Sequence, residues 1–317
     1  MIPKKIKEML KKQHYALVGK HSAVQICRYA KKSLRDEDFC YKQKFYGINS
    51  HQCVQMTPSV MWCEHKCIFC WRPIEKNLGI KIKKEDNPQK IIEDCIKMQR
   101  KLLSGFGGNS EASRLKWKEA FNPKHFAISL SGEPTLYKKL PELIRLLKKQ
   151  KITSFVVSNG ENPEMIKKIN PTQLYISMIA PNGQLFKKIS NSCHKDCWKR
   201  YLKTLRLIKQ KSKTTRTVLR VTLIKNLNMV EPENYSKLIK TANSDFIEIK
   251  AYMHVGFSRD RLKYENVPSH SEVKKFTKKI LKFLDKNLKY KLIDEKENSR
   301  VVLLSNEKKE KKIILKD

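Results

Sequence analysis

From residue 53 onward the chain alternates strand-like and helix-like runs without interruption, and no other feature restricts its fold as much. Strand-like runs are Val54–Met61, His125–Leu130, Thr153–Val157, Gln173–Met178, Thr217–Ile224 and Asp245–Ala251. Helix-like runs fall between or after them at Pro88–Ser104, Leu140–Lys149, Pro163–Ile169, Asp196–Lys211, Pro232–Thr241 and Ser271–Leu288. Proline at or near the start of several fits a first helical turn, where its missing N–H costs nothing. Six βα units in a row demand parallel strands with helical crossovers on the outside, hence an α/β fold. Six is too few to close an eight-stranded barrel. Lys289–Ile293 and Arg300–Ser305 are expected to add a hairpin across Glu295–Ser299. Residues 1–52 read as a basic N-terminal extension and 53–317 as the core. The extension should begin as a helix, with Ile6, Met9 and Leu10, and Leu17 beyond them, on one side. Gly105–Ser110 is a loop by composition.

The charge balance selects partners. Lys plus Arg number 68 against 31 acidic residues, a net +37 over 317 residues. Such an excess favours a polyanion, and nucleic acid is the commonest, because neutralised phosphates release counterions. A lysine-rich solvated surface is the plain alternative. Trp198 and Tyr201 stand among cations in the stretch from Lys195 to Arg220, and Lys274–Lys291 repeats the theme. Aromatics so placed can stack on unpaired bases, or belong to the core at helical spacing. No run of about eighteen apolar residues occurs, and the start lacks a secretory pattern. A cytoplasmic, membrane-free protein is expected, with its thiols reduced.

In that setting nine cysteines are not a disulfide framework. Cys63, Cys67 and Cys70 form a C-x3-C-x2-C after the first strand-like run, and Cys27, Cys40 and Cys53 precede it with twelve residues between neighbours. Thiolates select soft metals, and iron–sulfur clusters normally take four cysteines. A compact triplet therefore suggests a four-iron cluster with one iron left open. Zinc is the competitor, but it wants four ligands, and His65 inside the triplet cannot readily complete a tetrahedron with its neighbours. The wide first triplet alone is equally compatible with a zinc site or three buried thiols. Cys95 reads as a core thiol, and Cys193 with Cys197 as structural. Ends of parallel strands carry Ser131-Gly132-Glu133-Pro134, Ser158-Asn159-Gly160 and Ser177, where loops converge on an active site. Taken without the cysteines, Gly132-Glu133 is an ordinary strand-to-helix turn. Glu248 and Lys250 share one face of the last strand, either toward the lumen or as a pair capping the core.

The triplet Cys63-Glu64-His65-Lys66-Cys67-Ile68-Phe69-Cys70 resembles the signature of radical S-adenosylmethionine (SAM) enzymes. The 12-and-12 spacing of the earlier cysteines, with Phe39-Cys40-Tyr41-Lys42-Gln43-Lys44-Phe45-Tyr46-Gly47 and Cys53-Val54-Gln55-Met56-Thr57-Pro58 around them, is similar to the tRNA 4-demethylwyosine synthase family, over most of the chain. The resemblance implies an open (β/α)6 partial barrel of the radical SAM type. It implies a [4Fe–4S] cluster on Cys63, Cys67 and Cys70 whose open iron binds SAM. Phe69 would lie beside the adenine, and Gly132, Glu133, Ser158, Asn159 and Ser177 would make further SAM contacts. It also implies a second [4Fe–4S] cluster on Cys27, Cys40 and Cys53. The expected reaction joins the N-methyl carbon of N1-methylguanosine, 3′ of the anticodon of tRNA-Phe, to carbons 2 and 3 of pyruvate, closing a third ring. Pyruvate would chelate the second cluster or form a Schiff base with Lys42, with Lys44 as the fallback. Eukaryotic members carry a flavodoxin-like domain; this short, archaeal-type chain should draw electrons from a separate ferredoxin or flavodoxin, as a monomer. Another radical SAM activity, a methylthiotransferase or an activase, and a zinc-stabilised RNA-binding protein are the rival readings.

Overall fold

The computed structural model describes residues 2–284 and 288–306. Helix α1 (Lys4–Lys12), strands β1 (Ala16–Val18) and β2 (Ser22–Gln25), and helices α2 (Arg28–Leu34) and α3 (Tyr41–Tyr46) precede β3 (Cys53–Thr57). Then follow α4 (Pro88–Leu103), α5 (Arg114–Ala120), β4 (His125–Ile128), α6 (Leu140–Lys149), β5 (Thr153–Ser158), α7 (Pro163–Lys168) and β6 (Gln173–Met178). The chain continues with α8 (Gly183–Ser190), α9 (Cys197–Lys211), β7 (Arg216–Leu223), α10 (Pro232–Ala242), β8 (Phe246–Ala251) and α11 (His270–Phe283). Strands β9 (Tyr290–Lys296) and β10 (Val301–Asn306) complete it.

Strands β3 to β8 are parallel neighbours in chain order, the partial barrel expected of six βα units. β2 pairs antiparallel with β3, and β1 with β2. The β9–β10 hairpin closes onto β8 from the other side, with β10 against β8. The sheet therefore runs unbroken from the N-terminal segment into the barrel.

Local chemistry explains the element boundaries. The first barrel strand stops at Thr57, four residues short of expectation, because Pro58 has no N–H for a ladder. Helix α4 starts where the Asn87 side chain accepts from the backbone N–H groups of Gln89 and Lys90, with Pro88 in the first turn. Helix α11 starts with a capping box between Ser269 and Glu272. It ends at Phe283; residues 285–287 of the longer expected run lie outside the described residues. Helix α1 ends before His14, whose φ of 62° breaks the helix, so Leu17 sits in β1 rather than on the helical face.

Two apolar layers hold the sheet. The outer layer buries Leu140, Leu143, Ile144 and Leu147 of α6, a helical stripe, against one face of the strands. The inner layer is smaller. Phe155, Tyr175, Val218 and Phe246, from four of the barrel strands, and Val301 and Leu303, from β10 of the hairpin, face inward and pack on Tyr41, Phe45 and Tyr46 of α3. Helix α3 thus plugs the barrel interior. Tyr201 is fully buried and Trp198 partly so; their rings lie 5.6 Å apart, and Tyr201 packs 4.9 Å from Phe186. These two are core aromatics, not base-stacking platforms. No helix among the described residues is long and apolar enough to cross a membrane.

Candidate active site: two adjoining cavities

The loop after β3 carries Cys63, Cys67 and Cys70 over the C-terminal ends of the parallel strands. Their thiols line a cavity of about 300 Å³ together with Phe69, Gly132, Glu133, Ser158, Asn159 and Ser177. Every SAM-contact position named from the sequence therefore faces the same space as the compact triplet. Gly132 has a reason to be glycine. Its φ is +66°, and a Cβ there would stand 1.8 Å from the Ser59 carbonyl oxygen and 2.6 Å from that of Trp62. Glu133 is buried; one carboxylate oxygen accepts from the Thr135 N–H and hydroxyl, the other from the Asn159 N–H at 2.9 Å. Burial raises its pKa, against those hydrogen bonds. The neighbouring Glu64 is pushed up to about 8, by burial first and by the Glu133 charge second. Asn159 Nδ2 makes no hydrogen bond of good geometry, although Glu64 lies beside it.

A second cavity, of about 380 Å³, opens next to the first. Cys27, at the start of α2, Cys40, at the start of α3, and Cys53, the first residue of β3, all line it. Lys42 lines it too, 8% exposed, with its Nζ 4.7 Å from the centre of the Tyr175 ring. Burial lowers the Lys42 pKa, and the Arg220 charge lowers it further. Burial likewise pushes the Cys40 thiol up to about 11 and that of Cys53 to about 12. Lys250 enters the same cavity, half-buried, and is brought down to about 8 by burial and then by Arg220. Lys44 does not enter it: its Nζ pairs with Asp294 at 2.8 Å and donates to the Glu295 carbonyl oxygen at 2.6 Å, at the β9–β10 hairpin. Phe69, Trp71, Ser129, Val157, Arg220 and Thr222 line both cavities.

The model of the radical SAM superfamily matches residues 58–239, and that for wyosine base formation matches residues 241–306. A tRNA 4-demethylwyosine synthase from Pyrococcus horikoshii is 48% identical over 309 residues, 96% of this chain and 89% of that protein. The chain belongs to the tRNA 4-demethylwyosine synthase family. The Methanocaldococcus jannaschii member is 44% identical, with 97% of each chain covered. A solved structure described as TYW1 with a lysine–pyruvate adduct bound superposes with a TM-score of 0.87 at 42% identity, over 97% of each chain. As a tRNA 4-demethylwyosine synthase, the protein is a radical SAM enzyme that modifies tRNA, with SAM and a [4Fe–4S] cluster as its cofactors. The other radical SAM activities and the zinc-stabilised binding module are set aside by this membership.

The residues present fit those cofactors. Three thiols turned to one cavity, all held protonated by burial in the absence of metal, are a donor set that a metal centre would deprotonate. Among the described residues no three His, Cys, Asp or Glu side chains converge as ligands of one ion do. Thiolates at the corners of a four-iron cube stand further apart than that. The Gly132 cradle and the Asn159 amide offer close backbone approach and a hydrogen-bond donor to a small polar cofactor. Cys95 is buried in the core, Cys197 is buried at the start of α9, and Cys193 is exposed.

Arg220 and Arg261 were not singled out from the sequence. Arg220 stands in an apolar strand between Leu219 and Val221, and a cation inside a strand covered by helices was the available signal. Arg261 left no local signal. It donates from Nε to the Ile68 carbonyl oxygen at 3.1 Å and from Nη2 to that of Cys70, and so clamps the triplet loop. Glu248 pairs with Arg220 at 3.0 Å, and not with Lys250.

Proposed function

We propose that this enzyme condenses the methyl carbon of N1-methylguanosine, 3′ of the anticodon of tRNA-Phe, with pyruvate: carbons 2 and 3 stay in the base, the bond to the carboxyl carbon breaks and that carbon leaves, and loss of water closes the third ring of 4-demethylwyosine. The carrying observation is that two cysteine triplets face two cavities with a common wall, and that Lys42 faces the second. Cys63, Cys67 and Cys70 would hold the cluster that binds SAM, with Phe69, Gly132, Glu133, Ser158, Asn159 and Ser177 around the cofactor. Bound there, cluster and SAM supply a carbon-centred radical. Walls that exclude water protect so reactive a species. Cys27, Cys40 and Cys53, from the extension of residues 1–52 and the first residue of the 53–317 core, would hold a second [4Fe–4S] cluster.

Lys42 is assigned to the keto acid. Its neutral amine adds to the pyruvate ketone carbon, and loss of water leaves an imine between Nζ and carbon 2. Burial among Phe155 and Tyr175 keeps bulk water from the imine. The lysine–pyruvate adduct described for a relative supports this choice of side chain. The net charge of +37 suits a tRNA partner. Electrons would come from a separate ferredoxin or flavodoxin, and the protein would work in the cytoplasm as a monomer.

Oxygen-free reconstitution tests the reading. About eight irons per chain are expected, as two four-iron clusters require. Incubation with N1-methylguanosine-containing tRNA, SAM, pyruvate and reductant should yield 4-demethylwyosine by nucleoside mass spectrometry. About four irons would remove the second cluster, and SAM cleavage with no tricyclic base would remove the assigned reaction.

A further inference from the structure

Arg220 is a cation built into the wall between the two cavities. Three of its surroundings fix it. Its Nε donates to Glu248 Oε2 at 3.0 Å, and its Nη2 donates to the Tyr41 hydroxyl at 2.9 Å. The guanidinium carbon lies 4.4 Å from the centre of the Tyr175 ring. Glu248 is itself fully buried and also accepts from the Tyr41 and Tyr46 hydroxyls at 3.0 and 2.8 Å. The remaining nitrogen, Nη1, has no hydrogen-bond partner among the described residues, and the side chain keeps 17% exposure where it lines both cavities. A guanidinium anchored on one edge and free on the other is a preorganised hydrogen-bond donor to a carboxylate. Lys42 Nζ rests against the same Tyr175 ring, so one small molecule bonded to Lys42 can present its acid group to Arg220.

We infer that Arg220 receives the carboxylate of the α-keto acid that condenses with Lys42, and so sets both the choice of an acid over a neutral ketone and the face on which the imine is presented. The inference rests on the Lys42 reading given above. Glu248, Tyr41 and Tyr46 are then positioning residues, which hold the guanidinium edge-on to the cavity. Two other carboxylates could compete for it, those of SAM and of an unrelated anion, and the test separates them.

The test is reductive trapping. The full-length protein is incubated with pyruvate, or with its uncharged methyl ester, and borohydride reduces the C=N bond of the imine to a secondary amine. Peptide mass spectrometry then quantifies the adduct on Lys42 against keto-compound concentration. No SAM cleavage is involved in this readout. In Arg220→Gln the half-saturating pyruvate concentration should rise about tenfold or more, the worth of a hydrogen bond between charged groups. The curve for the methyl ester should move far less, because the change in the Lys42 pKa on losing the Arg220 charge is common to both compounds, and comparing each compound with itself cancels their different electrophilicity. Arg220→Lys keeps a counter-ion for Glu248 and loses the fork, so a several-fold rise should persist there even if the Gln variant fails to fold. Equal pyruvate curves in wild type and both variants would overturn the assignment. A shift in SAM binding with pyruvate unchanged would overturn it too, in favour of a SAM contact. No adduct on Lys42 in the wild type, with either compound, would instead defeat the Lys42 reading and this assignment with it.

Discussion

Cys63, Cys67 and Cys70 hang on one loop after β3, whereas Cys27, Cys40 and Cys53 come from the starts of two helices and of a strand. The compact set is held by hydrogen bonds to its backbone. Lys66 and Ile68 donate their N–H groups to the carbonyl oxygens of Ser190 and Ile189, Cys193 donates to that of Glu64, and Arg261 grips Ile68 and Cys70. The dispersed set is held by packing: Cys40 leads into α3, whose Phe45 and Tyr46 fill the barrel interior. A short motif can thus be grafted onto a loop and clamped there, while a long-range set exists only once the sheet has folded. The first is expected to fail by local loosening and the second by loss of tertiary structure.

The largest effects come from removing a thiol on each side. Cys67→Ala should bring SAM cleavage to background and reduce iron from about eight to about four per chain. Cys40→Ala should lose a similar share of iron and all tricyclic product, yet continue to cleave SAM without coupling. If the two variants behave alike in SAM cleavage, the division of labour between the triplets is wrong. Gly132→Ala comes next. A left-handed backbone and two carbonyl collisions should cost at least about 1–3 kcal/mol, read as a lowered Tm of the apoprotein, with weaker SAM binding. Arg261→Ala should release iron from the compact set to a chelator several-fold faster, followed by the absorbance near 400 nm in a Cys40→Ala background, and leave the dispersed set unaltered when it is followed in a Cys67→Ala background. The smallest effect belongs to Cys193→Ala: an exposed thiol outside both cavities should change stability by no more than about 0.5 kcal/mol and iron content not at all.

The legibility of the chain follows the same division. Long periodic runs such as Leu140–Lys149 and Gln173–Met178 were readable to the residue, because their apolar pattern is set by burial on the sheet. Helices α2, α3, α5 and α8 were not anticipated. They are six to eight residues long; α5 and α8 start on the side-chain caps of Ser113 and Asn182, α2 and α3 have no side-chain cap at their starts, and all four rest on tertiary contacts more than on propensity. Strands β1 and β2 were missed within an extension read by its charge; they are three and four residues long, and only pairing, β2 onto β3 and β1 onto β2, makes them strands. In the site, the cysteines were legible because their spacing is patterned, and Gly132 because a left-handed turn allows few substitutes. Lys42 stood out only through resemblance, since one lysine among many carries no signal. Arg220, the anchored cation, needs Glu248 and Tyr41 from distant elements before its role is visible.

Phe69, Trp71, Ser129, Val157, Arg220 and Thr222 each look into both chambers. The same side chains border both spaces, so neither is walled off by residues of its own on that side. On the proposed assignment, a substitution at any of these six that enlarges the space for the sulfonium donor also reshapes the proposed seat of the keto acid, so the two cannot be retuned separately through the shared residues. An engineer seeking a new three-carbon or four-carbon partner for this scaffold would work from residues that line the second cavity alone, such as Tyr29, Ile48 and Met253, and leave the shared ones intact.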